Sequence, residues 1–188
     1  QQKYLTRAEL NKIMNTPLDH PNRYLTRDMF LFSCFTGLAY RDMRNLSEKN
    51  IVEGDDGMLW IKTTRQKTGT PCEIPLLELP IQIIEKYRDM APEGKLLLML
   101  SCKRLNINLQ KIAKICGIER RLVFHCGRHT YASEITLSQG VPMETVSRMM
   151  GHKDLRSTRI YAKVTNDKIN EDMSKLEKRV TNKYKLAQ

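Results

Sequence analysis

Apolar and polar positions follow a helical rhythm at both ends of the chain and a strand rhythm only near its middle. "YLTRAELNKIM" (residues 4–14) opens a helix, with Thr6 and Glu9 at capping-box spacing. A second helix runs through "RDMFLFSCFTGL" (27–38), whose apolar residues fall on nearly every side, as in a helix buried at the centre of a domain. "YRDMRNL" (40–46) predicts a further short helix. The pattern then changes. Between residues 50 and 76, turn signals at Asp55-Asp56-Gly57 and Thr68-Gly69-Thr70 separate short β-rich runs, which predicts a three-stranded meander. Everything after it reads as helical. One helix lies around "PIQIIEKYRDM" (80–90) and another around "LNINLQKIAKICGI" (105–118). A third follows His125 and ends at Gly140. A fourth starts with Pro142 as its first helical residue and ends at Gly151. Tyr161 is expected on a short helix after Ser157-Thr158, and a tail helix of about 166–181 carries Ile169, Met173, Leu176 and Val180 as one stripe. There are no internal repeats or low-complexity tracts. The fold class is α+β, mainly helical, with one small three-stranded antiparallel sheet.

Length changes this picture little: 188 residues suit a single domain, 1–188. The chain does not begin with Met, and it reads as a piece of a longer protein. It has no apolar run near the ~18 residues that span a bilayer, and no signal-peptide core at its start, so no membrane partner is expected. Charge changes more. Thirty-two Lys and Arg against 21 Asp and Glu leave a net +11, which suits a polyanion. No strongly basic amphipathic helix favours a membrane surface, so nucleic acid leads, with a merely solubilising surface as the plainer alternative. Five cysteines without metal-ligand spacing read as reduced thiols of a cytoplasmic protein.

The candidate chemistry lies in four short stretches. They are "QKTGT" with Lys67, "HCGRH" with His125, Arg128 and His129, Gly151-His152, and Tyr161 nine residues later. A phenol is a poor nucleophile at neutral pH, since its ordinary pKa is about 10. It attacks a phosphodiester only if its proton is removed and the charge on phosphorus is stabilised. Arginine's planar fork suits phosphate oxygens, histidine donates to them or relays protons, and a hairpin lysine protonates a leaving oxygen. Cationic side chains acting in this way need no metal and no cofactor.

These stretches, in this order, resemble the catalytic domain of the tyrosine recombinases, the phage-integrase family. The resemblance covers nearly the whole chain. It implies that Tyr161 is the nucleophile, that Arg128 clamps the scissile phosphate, and that His125 and His152 hydrogen-bond it, with His125 also a proton acceptor. It implies Lys67 as general acid and His129 and Asp42 as supporting residues. One position departs from the family. Its first arginine falls in a stretch like T-G-x-R-x-x-E-L, and here "TGLAYRDMRNL" puts Ala39 at that place, a variant similar to integrases of conjugative and mobilizable transposons. Three arginines are candidate substitutes, in the order Arg41, Arg65, Arg44. On a regular helix Arg41 and Arg44 point ~200° and ~140° away from the Ala39 direction. On a regular strand Arg65 and Lys67 share a face.

The resemblance further implies a site-specific recombinase or integrase of a mobile element, working through a 3′-phosphotyrosyl intermediate. Its partners would be double-stranded DNA attachment sites, four protomers in the synaptic complex, a monomer when alone, and an accessory DNA-bending protein. Its place would be the cytoplasm, with the nucleoid. A DNA-clamping domain is expected upstream of Gln1. Two alternatives stay open: a non-catalytic DNA-binding regulator, since residues 131–150 mimic a helix-turn-helix, and a type IB topoisomerase, which shares the catalytic set.

Overall fold

Thr6 and Glu9 close the expected capping box ahead of α1 (Arg7–Asn15): Thr6 Oγ1 accepts from the Glu9 amide at 3.2 Å, and Glu9 Oε2 from the Thr6 amide at 2.8 Å. The computed structural model describes residues 3–162, 166–181 and 183. The ends of the expected 1–188 domain therefore lie outside the described residues. Glu9 also accepts from Arg120 at 3.0 and 2.8 Å, which ties the start of the chain to a loop over a hundred residues away and holds the Glu9 carboxyl below its usual range.

The buried helix starts earlier than its apolar run. In α2 (Pro21–Thr36) Pro21 occupies the first turn, where its missing N–H costs nothing, and His20 caps the Asn22 amide. Gly37 ends the helix at φ 70°, and α3 (Tyr40–Asn45) follows after a three-residue gap that Gly37 opens. β1 (Ile51–Glu53), β2 (Leu59–Thr64) and β3 (Pro71–Pro75) form the predicted antiparallel meander, in that order. Ile61 stands opposite both Ile51 and Ile74, and Ile61 and Ile74 are fully buried, so one face of the sheet closes the core. α4 (Glu78–Tyr87), α5 (Cys102–Ile115) and α6 (Cys126–Thr130) then pack against α2. Met29, Phe30 and Phe32 of α2 are completely buried at that junction. Truncating one such phenylalanine to alanine costs roughly 3–5 kcal/mol.

The helix expected from His125 to Gly140 is not continuous. After α6 it widens into a π-turn (Tyr131–Thr136) and tightens into a 3-10 turn (Leu137–Gln139) before Gly140 stops it. Thr136 Oγ1 donates into the carbonyls of Tyr131 and Ala132, both at 2.9 Å, and so competes with the regular backbone ladder. Pro142 is not the first helical residue of α7 (Met143–Met149): its ψ of 145° is extended, and it caps the helix instead. Tyr161 lies two residues past α8 (Arg156–Arg159) rather than on it, with its amide bonded to the Thr158 carbonyl at 3.0 Å. The tail helix α9 (Asn166–Val180) matches its predicted span, with Ile169, Met173 and Leu176 exposed. Among the described residues, no helix is long and apolar enough to cross a membrane.

Candidate active site

α6 carries the first part of the site because it can approach α2 closely. A Cβ at Gly127 would come 2.8 Å from Ser33 Oγ and 2.9 Å from Ser33 Cβ, so only glycine lets the two helices meet here. That approach sets Arg128 between the ends of two other helices. Its Nη1 donates to the carbonyl of Gly37, at the end of α2, and its Nη2 to the carbonyl of Met150, at the end of α7, both at 2.6 Å. Helix C-termini carry partial negative charge, which favours a cation at this place. Arg128 is 2% exposed.

The β2–β3 turn brings a second guanidinium to the same carbonyl. Arg65 Nη1 donates to Met150 O at 3.2 Å, Arg65 is 8% exposed, and its Nε is buried with no hydrogen-bond partner. Among the described residues, neither Arg65 nor Arg128 pairs with a carboxylate. Two buried, uncompensated cations side by side are costly, and an anion relieves that cost. The turn is fixed at several points. Asp42 of α3 accepts from the Gln66 amide at 3.0 Å, Thr68 Oγ1 donates to the Gly151 carbonyl at 3.0 Å, and a Cβ on Gly151 (φ 62°) would overlap Cys72 Sγ.

His152 follows this junction directly. Its Nε2 lies 3.0 Å from Arg128 Nη2 and its Nδ1 2.7 Å from Thr158 Oγ1. Tyr161 stacks on His152, ring centroids 6.2 Å apart and nearly parallel, and meets His129 edge-on at 5.1 Å; His129 in turn meets His125 at 4.7 Å. Burial, with Arg65 nearby, lowers the His152 imidazole to about 4, and burial next to His125 lowers that of His129 to about 4. His125 is lowered by partial desolvation and by the charges of Arg65, Lys67 and Lys3. Burial raises the Tyr161 hydroxyl, and Arg65 opposes that rise. All three imidazoles are therefore neutral near pH 7.

A cleft of about 880 Å³ opens beside this cluster, and Ala39, Arg41, Arg65, Lys67, His125 and Arg128 are among its lining residues. Lys67 and Arg41 reach it as exposed side chains; Arg44 is exposed and does not line it. Both geometric premises used for the substitute arginines change. Ala39 is extended (ψ 160°) and lies outside α3, so helical offsets from it do not apply to Arg41 or Arg44. Arg65 and Lys67 lie in the turn rather than on a strand, with Arg65 N bonded to Thr70 O, so one is buried and the other exposed. The sequence reading missed three groups: the carbonyls of Gly37 and Met150 and the hydroxyl of Thr158. The Met150 carbonyl had a signal, because Gly151 reads as a helix stop, whereas the second helix was expected to run on through Gly37. Thr158 had none.

Comparison with known proteins bears on the family and the fold. The model of the phage integrase family matches residues 3–168. The tyrosine recombinase XerC of Neisseria gonorrhoeae is 28% identical over 179 residues, covering 89% of this chain and 57% of that protein. The tyrosine recombinase XerA of Thermococcus kodakarensis is 26% identical over 172 residues, covering 87% of this chain and 58% of that protein. The chain thus spans a little over half the length of these curated relatives. Among solved structures, the XerH site-specific recombinase bound to a palindromic difH substrate in a post-cleavage complex superposes with a TM-score of 0.71 at 19% identity, over 94% of this chain and 53% of that one. The Tn1549 transposon integrase in complex with circular intermediate DNA superposes with a TM-score of 0.67 at 18% identity, over 94% of this chain and 68% of that one.

Proposed function

From the premise that this chain belongs to the phage integrase family, we propose that it is the catalytic domain of a site-specific DNA recombinase, the integrase of a mobile element. Tyr161 Oη attacks the scissile phosphorus; the Oη–P bond forms and the P–O5′ bond breaks. The phenolic proton passes to His125, and Lys67 protonates the departing 5′-oxygen. A 3′-phosphotyrosyl link keeps the bond energy for rejoining to a second strand. Arg128 and His152 hold the non-bridging oxygens, and Arg65 takes the place of the arginine that Ala39 lacks. His129 backs Tyr161, and Asp42 backs the Lys67 turn. The partners are two duplex attachment sites in a synapse of four protomers, with a DNA-bending protein as accessory and a separate DNA-clamping domain supplying further grip. The work is done in the cytoplasm, at the nucleoid.

One observation carries this reading. Two buried guanidiniums converge on the Met150 carbonyl with no carboxylate partner among the described residues, beside a neutral imidazole that stacks on a tyrosine. A phosphodiester supplies the missing negative charge and two acceptor oxygens. The same observation favours Arg65 over Arg41, which lines the cleft but is exposed.

The test is covalent trapping on a nicked duplex carrying the attachment site, read as an adduct in denaturing gels. Wild type forms the adduct and Tyr161→Phe does not. Arg65→Ala lowers its yield about 10²–10³-fold, as losing one preorganised charge donor does. Arg41→Ala changes it less than about threefold, as removing an exposed, screened charge does. A wild-type protein that binds the duplex without forming an adduct overturns the enzymatic reading in favour of a DNA-binding regulator. An Arg41 effect larger than the Arg65 effect overturns the assignment of Arg65.

A further inference from the structure

Thr158 is fully buried, stands three residues before the candidate nucleophile, and carries that residue's amide on its own carbonyl. Its hydroxyl meets one group only among the described residues, Nδ1 of His152 at 2.7 Å. The other ring nitrogen, Nε2, faces Arg128 Nη2 at 3.0 Å. A guanidinium has no acceptor, so this second contact is a hydrogen bond only if Nε2 presents its lone pair. In a neutral ring the proton then sits on Nδ1 and is donated to Thr158 Oγ1. A ring with its proton on Nε2 would instead set two N–H groups against each other. The phosphate step asks for that other form, because a donor to a phosphate oxygen at Nε2 needs the proton there.

We propose that Thr158 is a positioning residue that lets His152 exist in both tautomers, accepting from Nδ1–H while Arg128 occupies Nε2 and donating to bare Nδ1 once a phosphate takes Arg128's place. A hydroxyl has one donor and two acceptor sites and turns about a single bond, so it serves either form without moving the ring. In the exchange the proton on Nδ1 is released to water and one from water is taken up at Nε2, so the ring stays neutral. The burial that keeps His152 uncharged makes the choice between tautomers the operative one. The same side chain links two parts of the site: Thr158 holds the ring of His152 through its hydroxyl and the backbone of Tyr161 through its carbonyl. This rests on the recombinase reading only for the bound state. The state without phosphate stands on the two contacts alone.

The experiment is long-range nitrogen–proton NMR on the full-length protein with ¹⁵N-labelled histidine. This chain contributes four histidines, and His152 is assigned by its loss in His152→Gln. Free wild type shows the Nδ1–H form, and saturating inorganic phosphate converts it to the Nε2–H form. Thr158→Ser behaves as wild type in both. Arg128→Ala, which frees Nε2, abolishes the preference for Nδ1–H, whereas Thr158→Val, which keeps the shape and removes the hydroxyl, leaves that preference to Arg128 and lowers the rate of adduct formation about tenfold, the worth of one hydrogen bond, with DNA affinity unchanged. An Nε2–H ring in the free wild type, or a Thr158→Val protein that forms the adduct at the wild-type rate, overturns the proposal. So does a Thr158→Ser protein that behaves like Thr158→Val. If wild type forms no adduct, the recombinase reading fails, while the tautomer of the free protein still decides the role of Thr158.

Discussion

Two helix ends meet at Arg128, and they are built alike. α2 stops at Gly37 and α7 stops just before Gly151, both glycines have positive φ, and both ends offer a carbonyl to the guanidinium. Their surroundings differ. The missing Cβ of Gly37 faces the ring of Tyr131, a buried aromatic of the small cluster under Tyr161. The missing Cβ of Gly151 faces Cys72 Sγ and Arg65 Cβ, on the strand and turn that carry the second guanidinium. The α2 end serves one arginine; the α7 end serves two and leads straight into His152. The same local device thus meets an aromatic ring at one end and the second guanidinium of the candidate site at the other, and what lies opposite the glycine decides which.

The comparison is broken outright by removing what both ends hold. Arg128→Ala lowers adduct formation about 10²–10³-fold, read in the trapping gel. Next in size is Gly37→Ala, which forces a Cβ into the Tyr131 ring and into a left-handed backbone. It costs about 2–3 kcal/mol, a fall in melting temperature of several degrees, seen by calorimetry. Gly151→Ala is milder for the fold, because Cys72 Sγ ends a short rotatable side chain. Its melting temperature falls less than half as far, while its adduct yield drops about tenfold through the displaced Arg65, an effect of one lost hydrogen bond. Adding Cys72→Ala restores most of that yield, and a double variant no better than Gly151→Ala refutes the assignment of the two ends. The smallest effect is on acid stability. His129 and His152 stay neutral in the folded protein until about pH 4, while their unfolded counterparts take up protons near 6.5. Between these values the unfolded state binds more protons, so stability is full above about pH 6.5 and is lost as pH falls toward 4. Denaturant titrations at pH 7, 5.5 and 4.5 measure this, and His152→Gln makes the dependence shallower.

The fold was largely legible because its signals are local. A capping box spans three residues, a turn four, and an apolar helix shows its burial in one window; α1, α2, the meander and α9 followed from such windows. The errors came where side chains interfere with the backbone, as Thr136 does in the π-turn, and where a regular element was assumed beyond its end, as at Ala39 and Arg65.

By itself the sequence determined which groups are available and which are neighbours along the chain: His125, Arg128 and His129 on one helical turn, Gly151 beside His152, a net charge of +11, and an alanine where the family has an arginine. Only the tertiary structure decided which of three arginines stands beside Arg128, what the two helix ends hold, and that a threonine backs His152. Those contacts join residues 85 and 91 positions apart, Arg65 with Met150 and Arg128 with Gly37. Periodicity and capping act within a turn or two of the chain, whereas such contacts depend on how whole helices pack, through approaches as close as the one Gly127 permits.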